Sequence, residues 1–214
     1  MPGDLEMPAA ADFAGKRRKD EPMYLSGTEH DQPTAAEKLD RKRVLMFLAS
    51  GFEDSEAASV LGVMGWTKYR PDTASVDVEL CGFHERVQGA FGASFEVSPL
   101  PAAADTARYD ALVIPGGFHN LGFDEAYCEE LYSLVRAFRA ARKPIATMCV
   151  GALVVARAGC LEGAEATTYA FSSRHDNIGV LQEHGCTYVA EPVVEWEGVL
   201  SCAGPAASQQ VAER

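Results

Sequence analysis

The sequence predicts an α/β protein with a doubly wound, mostly parallel central sheet and helices on both faces. Three observations predict it. Short apolar runs alternate with longer amphipathic stretches after residue 42. Several of the runs are apolar without alternation, as strands buried on both faces require. Glycine-bearing turns close the runs at Gly51, Gly116-Gly117 and Gly151. At 214 residues, 47% hydrophobic and 23% charged, the chain is long enough for one domain with a sizeable core.

Residues 1–42 carry Pro, Gly, Ala and charges of both signs without apolar periodicity, the composition of a disordered extension. The cluster Lys16-Arg17-Arg18-Lys19 reads as part of that solvated tail. The domain is expected over 43–214. Val44-Leu-Met-Phe-Leu48 forms the first buried strand, ended by Gly51, and Ser55 to Trp66 the first helix. Val76 to Cys81 and Phe95 to Val97 read as strands, with turns at Gly89 and Gly92 between them. Tyr109 to Ile114 is a further buried strand, closed by Pro115-Gly116-Gly117. Leu131, Leu134, Val135 and Phe138 then recur at helical spacing within a helix expected over Glu125–Arg142. Pro144 to Met148 gives the next strand, Cys149-Val150-Gly151 a turn, and Ala152 to Ala158 a helix stopped by Gly159. Ala166–Tyr169, Thr187–Ala190 and a hairpin over Val193–Cys202 about Glu197-Gly198 complete the strands. Gly204-Pro205 opens a last helix with room for only about ten residues before Arg214.

Thirty-one acidic against nineteen basic side chains give a formal charge of −12, so the field of the whole protein repels nucleic-acid phosphates and anionic lipid. The longest apolar stretch, Ile145 to Ala156, is too short to span a bilayer. Neither nucleic acid nor membrane is expected as a partner. The first residues, interrupted by Asp4, Glu6 and Asp12, do not resemble a secretory signal, and the six cysteines form no C-x-x-C pair. A cytoplasmic protein with free thiols is expected.

The turn at Cys149 is the most informative. A strand, then Met148-Cys149-Val150-Gly151-Ala152, then a helix, has the form of a nucleophile elbow, which displays a side chain at the carboxyl end of a sheet. Backbone N–H groups at the start of the helix would favour thiolate there. Spacing alone leaves a reactive cysteine and a buried structural one equally open. Ligands of open α/β sheets sit beyond the carboxyl strand ends, where Gly51-Phe-Glu-Asp-Ser-Glu56 also lies. Glu56, one turn into its helix, would reach a neighbouring strand end, although acids at a helix start also simply complement its dipole. Pro115-Gly116-Gly117 brings either a plain turn or a bare N–H that joins that of Val150 in an oxyanion hole.

These residues together resemble the ThiJ/PfpI superfamily over residues 44 to about 210. The resemblance is carried by Gly51-Phe-Glu-Asp-Ser-Glu56, Tyr109-Asp-Ala-Leu-Val-Ile-Pro-Gly-Gly117, Ile145-Ala-Thr-Met-Cys-Val-Gly-Ala152, Ala166-Thr-Thr-Tyr169 and Ser201-Cys-Ala-Gly-Pro-Ala206. It implies a flavodoxin-like sandwich, a homodimer and no cofactor. It makes Cys149 the elbow nucleophile, Glu56 the protonated acid beside it, and Gly117 and Val150 the oxyanion-hole amides. Many relatives place a histidine after the Thr-Thr pair or after the nucleophile, where this chain has Tyr169 and Val150. His119, on the loop after the Gly-Gly turn, is the expected substitute. His175 and Tyr169 are further pocket candidates, and Phe52 and Phe118 are expected as an apolar rim. The implied function is cysteine-based attack on a small electrophilic carbonyl compound, with methylglyoxal converted to lactate. The alternatives are a redox-sensing or holdase protein with an oxidisable Cys149, and an isonitrile-hydratase-like or other hydrolase.

Overall fold

In the computed structural model, which describes residues 41–70 and 73–214, a seven-stranded sheet forms the centre of the protein. In chain order, β1 is Lys42–Phe47, α1 Asp54–Trp66, β2 Val76–Gly82, β3 Arg86–Gln88, β4 Ser94–Glu96, β5 Ser98–Pro99 and β6 Ala111–Ile114. Then come α2 Glu129–Ala140, β7 Ile145–Met148, α3 Gly151–Arg157, β8 Glu165–Ala166, α4 Asn177–Glu183 and β9 Thr187–Tyr188. The strands β10 Val193–Trp196 and β11 Val199–Cys202 and the helix α5 Ser208–Glu213 end the chain.

The sheet runs β10-β11-β7-β6-β1-β2-β5, and every neighbouring pair is parallel except β10 with β11. That is the doubly wound arrangement the sequence predicts. The chain moves outward from β1 to β2, then returns to the other side of β1 with β6, so the order reverses between β1 and β6. A crevice for a ligand is expected beyond the carboxyl ends of strands at such a reversal.

The apolar runs are continuous because both faces are covered. Along β1 and the residues just after it, Val44, Met46 and Leu48 face α1 and α5, whose Ala57, Val60, Val211 and Ala212 are buried on them. Leu45 and Phe47 face the opposite layer, which takes Leu131, Leu134, Val135 and Phe138 from α2, Leu153 from α3 and Leu181 from α4. The β10–β11 hairpin turns at Glu197 (φ 45°) and Gly198 (φ 81°), the left-handed pair of a tight hairpin turn that matches strand twist.

Several expectations are corrected. The helix expected from Glu125 starts only at Glu129, because Phe123–Ala126 form a separate 3₁₀ turn that buries Phe123 and Ala126. Cys128 lies at the N-cap position just before that helix rather than within it. The strand expected over 166–169 ends at Ala166, because the next two residues turn toward neighbours. The Thr167 N–H donates to Ser201 Oγ (3.0 Å) and Thr168 Oγ1 to the Cys149 carbonyl (2.8 Å). The strand over 187–190 ends at Tyr188. Trp66 is half exposed at the end of α1. The expected extension over residues 1–42 lies outside the described residues except for Arg41 and Lys42, and Lys42 already belongs to β1. Among the described residues no helix is long and apolar enough to cross a membrane.

Candidate active site

Three turns at carboxyl strand ends, after β1, β6 and β7, meet at one point. Cys149 follows β7 directly and takes φ 51°, a left-handed conformation that costs a residue with a Cβ about 1–2 kcal/mol. Hydrogen bonds hold it there: the Cys149 N–H donates to the Cys202 carbonyl (3.0 Å) and its own carbonyl accepts from Thr168. Gly116 packs so closely that a Cβ on it would stand 2.7 Å from that of Cys149. Strain concentrated on one nucleophilic side chain is the local signature of an elbow.

Glu56 is fully buried, one turn into α1. Its Oε2 accepts the Gly116 N–H at 2.7 Å, and its Oε1 is buried with no hydrogen-bond partner. The reading of Glu56 as a mere helix-terminus acid does not hold, since Glu53 caps the helix and the Glu56 carboxyl is bound elsewhere. Glu53 caps α1 by accepting the Glu56 N–H (2.7 Å) and the Ser55 hydroxyl (2.7 Å). Asp54 instead accepts the N–H groups of Phe91 (3.0 Å) and Ala93 (2.7 Å) at the tip of the β3–β4 hairpin. Burial raises the Glu56 carboxyl to about 8, the Gly116 N–H opposes the shift, and the Glu53 charge adds to it. Glu56 is therefore protonated at neutral pH.

Burial also pushes the Cys149 thiol up, aided by the Glu56 charge and opposed by the Val150 N–H. This reverses the expectation of a thiol lowered by its turn, because the site is drier than the sequence signals. The Glu56 contribution operates only above the pH at which that carboxyl ionises. Near neutrality the thiol faces a neutral acid and the Val150 N–H, and its ionisation needs a base.

Two imidazoles, those of His119 and His175, border the same cavity as the thiol. A pocket of about 410 Å³ opens above Cys149, and its walls include Gly117, Val150, Phe118, His119, Tyr169 and His175. His119 stacks on His175 with ring centroids 4.1 Å apart, and its Nε2 is 3.0 Å from the Tyr127 hydroxyl. Burial and the neighbouring His175 lower the His119 pKa, with Asp124 opposing, so its ring is neutral at pH 7. His175 lies on the loop that leads into α4. Tyr169 lies on the pocket wall with its carbonyl held by Asn177 Nδ2 (2.8 Å).

Phe52 is the exception among the expected site residues. It is fully buried in the layer beneath α1, bridged to Gly117 across the two loops and packed on Phe95, so it supports the floor and does not form a rim. Phe118, by contrast, stands at the mouth, 38% exposed. Glu56 does not line the cavity; its carboxyl is held in the interior by the Gly116 N–H. Sequence reasoning missed Phe91, Phe171, Arg174 and Asn177 on the walls and Tyr127 behind His119. A signal was present for α4, where Asp176 caps the helix by accepting the Gly179 N–H at 2.8 Å.

The raised Glu56 pKa makes a stability prediction. The unfolded chain loses this proton near 4.5 and the folded protein near 8, so stability carried by the neutral carboxyl is present below 4.5 and lost as pH rises through 8. Denaturant unfolding of wild type and Glu56→Gln between pH 5 and 8 should show wild type losing ground on the order of 1 kcal/mol per pH unit relative to the variant. A pH-independent difference would place the carboxyl in an ordinary ionised state.

The model of the DJ-1/PfpI family matches residues 42–214. Protein DJ-1 homolog D of Arabidopsis thaliana is 34% identical over 92 residues, 43% of this chain and 23% of that longer protein, so the match spans about a quarter of the relative. The ThiJ/PfpI domain protein from Brachyspira murdochii superposes with a TM-score of 0.66 at 19% identity, covering 81% of this chain and 92% of that one. Schizosaccharomyces pombe DJ-1 superposes with a TM-score of 0.65 at 24% identity, covering 79% and 87%.

Proposed function

The chain belongs to the DJ-1/PfpI family, and from that footing we propose that it is a cofactor-independent enzyme whose Cys149 attacks a small electrophilic carbonyl compound, with an α-oxoaldehyde such as methylglyoxal converted to lactate. Membership by itself supports a cysteine-based enzyme or stress protein. One observation carries the enzymatic reading: the strained Cys149 and the neutral His119 border one cavity, above a buried carboxyl that keeps its proton.

The chemistry follows from those groups. Neutral His119 takes the thiol proton, the sulfur adds to the aldehyde carbon, and the carbonyl electron pair becomes an oxyanion. The N–H groups of Gly117 and Val150 face that oxyanion. Imidazolium returns the proton to oxygen, giving a hemithioacetal. The same ring, neutral again, moves the proton of the former aldehyde carbon to the adjacent carbonyl carbon while the hydroxyl proton passes to the former ketone oxygen, leaving a lactoyl thioester. Water cleaves the thioester and restores the thiol, so the net change is addition of one water to methylglyoxal. Glu56 stays protonated and puts no second negative charge beside the sulfur. The oxidisable-thiol alternative needs a standing thiolate in contact with peroxide, and burial of Cys149 works against that.

His119→Phe tests the base. Lactate formation from methylglyoxal should fall about 100-fold or more, and the acid limb of the pH–rate profile set by His119 should disappear. An unchanged limb would assign the base elsewhere.

A further inference from the structure

We infer that the mouth of the Cys149 cavity is a collar for an aromatic ring, and that the carbonyl substrate therefore carries an aryl group on its carbonyl end. The inference rests on the carbonyl chemistry proposed above and specifies its substrate class. Three of the large apolar side chains that the described residues leave exposed border this one cavity: Phe91 (71%), Phe118 (38%) and Phe171 (84%). Exposed apolar surface gathered at one place, rather than scattered singly, marks a binding site.

The rings are arranged as two edge-to-face pairs. Phe91 meets Phe118 at 5.4 Å between centroids and 85° between planes, and Tyr169 meets Phe171 at 5.9 Å and 74°. Edge-to-face contact leaves ring faces and edges free for a further ring. The Phe91 side is held in place from below. Asp54 accepts the N–H groups of Phe91 and Ala93, and the Ala90 N–H donates to the Phe52 carbonyl (2.9 Å), which fixes the hairpin tip over the pocket. On the other side, Asn177 holds the Tyr169 carbonyl.

Volume points the same way. At about 30 Å³ per heavy atom, the five heavy atoms of methylglyoxal occupy roughly 150 Å³. The cavity measures about 410 Å³, so a three-carbon aldehyde leaves most of it empty. The ten heavy atoms of phenylglyoxal would occupy about 300 Å³. Its reaction balances as before. Sulfur adds to the aldehyde carbon, the hydrogen of that carbon moves to the adjacent benzylic carbon, and water cleaves the thioester to give mandelate.

The test has a kinetic arm and a binding arm on the full chain. Initial-rate kcat/KM for phenylglyoxal should exceed that for methylglyoxal about tenfold or more, each corrected with Cys149→Ala as blank. The double variant Phe91→Ala/Phe171→Ala should bring this ratio toward one, while Trp66→Ala, exposed at the end of α1, should leave it as in wild type. A merely structural role would slow both substrates together and preserve the ratio. In the binding arm, acetophenone, which has no aldehyde, is titrated by calorimetry against acetone, and the double variant should weaken acetophenone about tenfold. If neither aldehyde turns over while acetophenone binding still depends on the two phenylalanines, the collar stands and the carbonyl chemistry falls. Turnover at a ratio near one, or acetophenone binding indifferent to the double variant, overturns the collar. Loss of a dimer in the double variant by sedimentation, with the ratio unchanged, overturns it too and assigns the patch to a second copy of the chain.

Discussion

Replacing Cys149 with alanine is expected to lower lactate formation from methylglyoxal by about a thousandfold or more, with the protein still folded. Loss of a covalent nucleophile removes the whole reaction path, so the effect exceeds that of any supporting residue. The fold should tolerate the change. Only one sulfur atom is removed from a side chain that lies at a cavity floor, and the backbone bonds to Cys202 and Thr168 remain. The check is a lactate assay beside a thermal melt of both proteins. More than a tenth of the wild-type rate in a well-folded Cys149→Ala protein would exclude the proposed mechanism.

Gly151→Ala is expected to produce the largest loss of stability. Alanine in a helix usually gains up to about 1 kcal/mol over glycine, so propensity alone predicts stabilisation. Here a Cβ would stand 2.3 Å from the Ile114 carbonyl oxygen and 3.1 Å from that of Pro115, both backbone atoms at the end of β6. Backbone in the centre of a sheet yields little, and the overlap should outweigh propensity by about 3 kcal/mol, lowering Tm by roughly 6–12 °C. Because the displaced strand end carries Gly116 and Gly117, activity should fall with it. Gly65→Ala in α1 is the matched control, as open space surrounds that position. It should be neutral or slightly stabilising. Equal melting temperatures for the two variants would contradict the close approach of the elbow to β6.

The legible parts of the sequence are those governed by local rules. Val44–Leu48 and the run before Pro115 read as buried strands because both faces of the sheet are covered, and the elbow at Cys149 shows in the strand–turn–helix spacing alone. The start of α2 was misplaced because acidic residues at Asp124 and Glu125 mimic a helix entry. Burial of Phe123 instead bends the chain into a 3₁₀ turn. Helix α4 is short, with only Asn177 and Leu181 buried, so its periodicity is too weak to read. Phe52, expected at the rim, and Phe91, for which the sequence carries no signal, take their positions for a tertiary reason. Pairing of the two loops turns Phe52 into the core, and the bonds from Asp54 carry the distant Phe91 to the pocket mouth. No spacing rule connects residues 54 and 91. The protonation of the site was half legible: a carboxyl near the thiol was expected, while the extent of burial that raises both groups is a property of packing.

The central claim is that Cys149 alone among the six cysteines is a nucleophile, deprotonated by His119. All six thiols are free, and burial raises Cys186 and Cys202 to about 11. The most direct test is the rate of iodoacetamide alkylation of each cysteine from pH 5 to 10, followed by peptide mass spectrometry in wild type and His119→Phe. Cys149 should react several-fold faster than the other five at pH 7, with an inflection below 6.5 that follows His119 and disappears in the variant. A Cys149 peptide that reacts no faster than those of Cys186 and Cys202, or whose rate climbs only with alkaline ionisation in both proteins, would contradict the account.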